Sequence, residues 1–193
     1  AVTPENFWKD LQTSLKNLRT DYIDLGMIHF VDEAAEFQSI INGEFMEYVR
    51  GLKDQGIIRH IGMSTHNPAV AKMGALCGEI EMILFSINPA FDMLPASENI
   101  EDYFKERYEE ELGGIAPERA ELYRICEQEE VGITVMKGYA GGRLFDARTS
   151  PFGVALTPVQ CLHYALTRPA VASVMAGYDT PEHVLMAVAY ENA

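Results

Sequence analysis

Basic residues are scarce in this chain. Fifteen Lys and Arg stand against 29 Asp and Glu, a net charge of −14. A surface of that sign repels phosphate backbones and anionic bilayers, so neither nucleic acid nor membrane is an expected partner. A small anionic ligand is not excluded, because it needs only local positive groups. Cysteine is also sparse: Cys77, Cys126 and Cys161 are widely spaced and odd in number. They make no disulfide framework and no metal-ligand spacing, so free thiols in a reducing cytoplasm are expected and no metal site is. No apolar run reaches the roughly 20 residues that span a bilayer. The opening AVTPEN lacks the charged and apolar regions of a signal peptide. It also lacks an initiator Met, so the chain is expected to start inside a longer one. There is no low-complexity tract, linker or exact internal repeat.

What is present reads as one globular unit. Hydrophobic residues make up 48% and charged residues 23% of 193 positions, enough for one sizeable core. Strand-like apolar runs recur near Ile23–His29, Ile57–Met63, Met82–Ile87, Ile133–Lys137 and Val171–Met175. Helical patterns lie between them. Pro4 opens the first, with Phe7, Leu11, Leu15 and Leu18 at helix spacing. Phe45, Val49 and Leu52 mark the next, with Gly56 as its stop. Asn67-Pro68 opens another; Leu122, Ile125 and Cys126 sit on a fourth. Thr157-Pro158 and Thr180-Pro181 start two more, with Thr as N-cap and Pro at the first helical position. The last carries Val184, Leu185 and Val188.

Alternating strands and helices mean parallel βα units, and apolar strands suggest cover on both faces. The run from about Asp92 to Pro117 breaks the rhythm. It is acidic, holds Glu109-Glu110-Glu111 and Gly113-Gly114, and reads as a long loop with a short helix near Asp102–Glu110. Tyr103, Phe104 and Tyr108 there are lid candidates, with local packing the preferred alternative. Five strands do not close a (β/α)8 barrel, which needs eight and about 250 residues. A leading helix followed by five βα units fits the C-terminal part of such a TIM barrel. The expectation is therefore a single domain over 1–193, lacking its first three βα units and ending at the last barrel helix. Such a piece exposes two strand edges, through which copies can self-associate.

The first strand run ends in His29. A polar, titratable residue at the C-terminal end of a barrel strand is where that fold places chemistry. Four blocks then carry a family resemblance. SLKNLRTDYIDLGMIH (14–29) resembles the aldo/keto reductase pattern along the fourth barrel strand. LKDQGIIRHIGMS (52–64) resembles that family's run into the fifth. GITVMK (132–137) with GGRL (141–144) resembles the seventh strand and its loop, and SVMAG (173–177) with TPE (180–182) the eighth. MKGYAGGRL and STHNP are similar to a bacterial branch whose members often carry a C-terminal iron–sulfur segment; no CxxCxxC run is present, so a cluster is expected only in a longer chain.

The resemblance implies reduction of aldehydes and ketones by hydride from NADP(H), with NAD(H) as the alternative. The family uses a Tyr acid, a Lys, an Asp and a His that orients the carbonyl. Of these only His29 has a counterpart, so the chain alone is expected to be inactive. Ser64 and Thr65 fall where the family's Ser-Asn pair holds the nicotinamide amide; Ser64 matches and Thr65 departs. Phe85 falls near an amide-binding Gln of the family. Lys137, Gly141, Gly142 and Arg143 match the cofactor-binding loop, where Gly admits close backbone approach to pyrophosphate. Gly177, His183 and Ala187 replace the family's 2′-phosphate and adenine contacts, which leaves the choice of cofactor open. Asn88, with Pro89 and Asp92, is the candidate for the substrate pocket.

Two other readings stand beside this one. A degenerate reductase barrel acting as a non-catalytic binding or scaffold protein would explain the missing catalytic set. An unrelated hydrolase would use His29, His60 and His66 as metal ligands, but no acidic ligand cluster supports it.

Overall fold

The computed structural model describes residues 3–93 and 114–192. The helix expected near 102–110 and its aromatic residues lie outside them. The elements run α1 (Pro4–Leu18), β1 (Ile23–Ile28), α2 (Ala34–Ile41), α3 (Glu44–Asp54), β2 (Ile58–Thr65), α4 (Pro68–Leu76), β3 (Met82–Ser86) and α5 (Pro89–Met93). Then come α6 (Pro117–Gln128), β4 (Gly132–Met136), a 3₁₀ turn (Ala140–Phe145), α7 (Pro158–Leu166), β5 (Val171–Val174) and α8 (Pro181–Val188). All five expected strands form, and they pair in chain order as one parallel sheet.

Local chemistry explains the boundaries. Thr3, Asn67, Thr157 and Thr180 each accept a backbone N–H at a helix start, with Pro in the first turn. Thr157 and Gln160 complete a reciprocal capping box. Gly56 follows α3 at φ 73°, a left-handed position that an L side chain would strain. Helix α2 went unforeseen; it buries Phe37 and Ile40.

The main core packs α3, α4 and α6 against β2, β3 and β4. Met46, Val70, Ile61, Ile83, Leu122 and Ile133 are all at or below 1% exposure. Cover on both faces does not extend to the edges. Strands β1 and β5 are only partly buried, and no residue of α8 is buried. Val184, Leu185 and Val188 stand 44%, 68% and 52% exposed. Each edge strand has one neighbour instead of two, so its flank and the helix over it lose half their cover.

Glu81 ties the β2–β3 region at the N-terminal end of the sheet. Its carboxylate takes Lys53 Nζ at 2.5 Å, His60 Nδ1 at 2.8 Å and the Ile61 N–H at 3.0 Å. Burial acts to raise its pKa, but these donors outweigh it and lower the pKa from 4.5 to about 2. A depressed carboxylate stabilises the fold above its unfolded pKa and stops doing so as pH falls through the folded one. The stability gap between wild type and Glu81→Gln should thus be fully open above pH 4.5 and close toward pH 2. Denaturant titrations across that range test this; a gap that does not vary with pH would refute it.

Candidate active site

Because the strands are parallel, their C-terminal ends lie on one rim. His29 follows β1, Ser64 and Thr65 end β2, Asn88 follows β3, and Lys137 follows β4. His29 is exposed. It borders a cavity of about 630 Å³ between the open flank of β1, Phe7 of α1 and Phe45 of α3.

Ser64 is 3% exposed and holds the loop that carries His29. Its hydroxyl oxygen accepts the Phe30 N–H at 2.7 Å, and its carbonyl accepts the Val31 N–H at 2.9 Å. Phe30 sits at φ 62°, a left-handed conformation that costs a non-glycine residue energy, and these bonds hold it there. Thr65 is fully buried. Its hydroxyl donates to Asp32 Oδ1 at 2.9 Å and accepts the Asn67 N–H at 3.1 Å. Asp32 also takes the His66 N–H at 2.6 Å and His66 Nδ1 at 2.9 Å. Burial pushes the Asp32 pKa up, yet the bonds from His66 and Thr65 prevail and it lies below its ordinary value. Its charge is felt at Lys137, whose pKa is lowered by burial against the pull of Asp32.

Asn88 is fully buried, with both ends of its amide engaged. Nδ2 donates to the Lys137 carbonyl at 3.0 Å and Oδ1 accepts the Phe91 N–H at 2.9 Å. It therefore positions Lys137 and is not open to a substrate. Asp92, expected at a pocket, is buried instead, against Arg119, Tyr123 and Tyr164. Phe85 is buried beneath the Arg119 guanidinium, 4.7 Å from its ring centroid.

Lys137, Gly141 and Gly142 line a second cavity, about 730 Å³, closed on its other side by the 175–179 loop and the start of α8. Gly141 and Gly142 have φ of 64° and 84°, and a Cβ on either would enter open space. The turn thus leaves room beside its backbone for a ligand, although the Gly142 N–H already donates to the Tyr139 carbonyl. Arg143 flanks the turn without lining the cavity. His29 and Lys137 therefore share the rim but border different cavities. His60 and His66 are tied to different carboxylates, Glu81 and Asp32. Among the described residues no three His, Cys, Asp or Glu gather as metal ligands.

The profile of the Aldo/keto reductase family matches residues 1–155. The chain belongs to the aldo/keto reductase family. Its five parallel βα units are a fragment of that family's (β/α)8 barrel. The aldo-keto reductase AKR11C1 of Bacillus halodurans superposes with a TM-score of 0.66 at 22% identity, over 99% of this chain and 62% of that one. Among curated proteins, the uncharacterized oxidoreductase YqkF of Bacillus subtilis is 27% identical over 192 residues, 95% of this chain and 59% of its own. The methylglyoxal reductase DkgB of Salmonella typhimurium is 38% identical over 81 residues, 37% of this chain and 29% of its own. The chain spans about three fifths of the length of the relatives it matches end to end.

The motifs did not point to Asp32 as the hub of this rim. A usable signal existed: a polar side chain three residues past His29, in a loop that follows a strand.

Proposed function

We propose that this chain supplies the cofactor-binding part, and His29 of the catalytic set, of an NAD(P)H-dependent reductase of small aldehydes and ketones. The observation that carries the reading is the cavity of about 730 Å³ between Lys137, the Gly141-Gly142 turn and the start of α8, on the same rim as His29. The residues fit a dinucleotide. The glycines offer room for a pyrophosphate, and Lys137 and Arg143 supply positive charge near it. Ser64, fixed at the end of β2, has a hydroxyl proton to donate to a carboxamide; Thr65 is engaged with Asp32 and backs it. The bound cofactor supplies the hydride. His29, exposed at the end of β1, donates a hydrogen bond to the carbonyl oxygen and orients it.

The family's Tyr, Lys and Asp have no counterparts here. We infer that three preceding βα units of a longer barrel bring them and cover the open edges of β1 and β5. Five strands among the described residues, against the eight of a closed barrel, support this. Where those edges stay open, copies should self-associate through them. A cytoplasmic setting agrees with buried Cys126 and Cys161, whose burial raises their pKa to about 12 and about 11.

Titration with NADH and NADPH, followed by quenching of Trp8 and tyrosine fluorescence, tests the reading. At least one dinucleotide should bind, and this chain should not turn over. In a longer form that reduces a carbonyl panel, His29→Ala should cut turnover about 10²-fold while dinucleotide affinity holds within about twofold. Failure of both dinucleotides to bind would defeat the proposal.

A further inference from the structure

Lys137 is placed unlike the other described lysines. Lys9 and Lys16 are exposed on α1, and Lys53 and Lys72 are held in ion pairs with Glu81 and Glu121. Lys137 instead follows β4 on the rim and lies half-buried against the cavity of about 730 Å³. Its backbone sits at φ 58°, a left-handed conformation that costs a long side chain energy. The Asn88 amide at 3.0 Å and the Ala140 N–H at 2.8 Å both donate to its carbonyl and hold it there. Residues held in strained conformations cluster at chemical sites, and the end of a barrel strand is where that fold places them.

The surroundings favour the uncharged amine. Tyr139, Phe145, Leu156 and Met175 line the cavity, and burial lowers the Lys137 pKa. The Asp32 charge pulls the other way and is outweighed. Tyr178, Asp179 and His183 line the same cavity near the start of α8. A lysine stripped of water gives up its proton at lower pH, and the neutral lone pair is the nucleophile.

We propose that Lys137 is a covalent capture site for small aldehydes, which it holds as an imine in this cavity. The Nζ lone pair adds to the carbonyl carbon, and a proton passes from nitrogen to oxygen to give a carbinolamine. Water leaves as the C=N bond forms, so amine and aldehyde give imine and water with nothing oxidised or reduced. The step needs neither a hydride nor the Tyr of the family, and so goes beyond the reductase reading. A dinucleotide in the cavity would fill it and hold the ammonium beside its phosphates. Imine and dinucleotide therefore exclude each other.

Incubation of the purified protein with propanal and cyanoborohydride tests this. The reductant delivers hydride to the imine carbon and fixes the lysine as an N-propyl amine, which peptide mass mapping locates. Near neutral pH, Lys137 should label at least about fivefold faster than Lys9 or Lys16. Its rate relative to Nα-acetyllysine in the same tube should rise as pH falls from about 9 to about 7, because a lowered pKa keeps the amine neutral where an ordinary lysine is protonated. Protein unfolded in urea should lose the preference. Equal labelling of Lys137 and the exposed lysines, or a preference that survives unfolding, would overturn the inference. So would labelling that a tightly bound dinucleotide fails to slow. Failure of both dinucleotides to bind, with Lys137 still labelled first, would defeat the reductase reading and leave this one standing.

Discussion

Arg119→Met should destabilise the protein by about 3–5 kcal/mol. At about 2–4 °C per kcal/mol for a chain of this size, the melting temperature should fall by about 6–20 °C. Arg119 is 1% exposed and Asp92 fully buried. Arg119 Nε donates to Asp92 Oδ1 at 2.8 Å, and a terminal nitrogen donates to the Ser86 carbonyl. Asp92 also accepts from the Tyr123 hydroxyl at 2.5 Å and the Tyr164 hydroxyl at 2.9 Å. Burial raises the pKa of both tyrosines, with the Asp92 charge adding to the effect, so they act as neutral donors. Among the described residues, removing the guanidinium leaves a fully buried carboxylate with two neutral donors and no counter-charge. The Asp92 carbonyl also accepts the Ala116 N–H at 2.6 Å, so the pair joins the end of α5 to the start of α6. A thermal melt of Arg119→Met decides; a loss below about 1 kcal/mol would mean that the network relaxes around the gap.

Asp32→Ala is the second large effect, and it should reach binding as well as stability. Three donors lose their acceptor: the Thr65 hydroxyl, the His66 N–H and His66 Nδ1. An orphaned buried donor costs about 1–3 kcal/mol, and water at the rim will recover part, so a loss of about 2–4 kcal/mol is expected. The loops after β1 and β2 are tied through this carboxylate, so the order of Ser64 and of the segment carrying His29 should fall with it. Dinucleotide affinity should therefore drop in Asp32→Ala at temperatures well below its melt. Asp32→Asn, which keeps one acceptor oxygen, should lie between. Full affinity in folded Asp32→Ala would show that the rim holds its shape without this tie.

The sequence and the structure agree most closely where one residue type has one job. All five strands fall on the apolar runs. The Thr-Pro and Asn-Pro starts appear as N-caps with Pro in the first turn, because a capping oxygen and a fixed φ act within one turn of chain. His29, Ser64 and Lys137 were legible as strand-end residues for the same reason: parallel βα order places every strand's end on one rim.

Long-range partners were not legible. Asp92 and Asn88 are polar residues after a strand, which makes them look like pocket residues. Their partners lie 27 and 49 positions away, and only the packed chain reveals that their polar atoms are consumed. Thr65 is similar: its hydroxyl lies at the expected place but belongs to Asp32. Alone, then, the sequence determined the βα rhythm, the family and the rim residues, since these follow from local periodicity, caps and motif spacing. The tertiary structure decided which side chains stay open to a ligand, because that depends on which distant groups satisfy their hydrogen bonds.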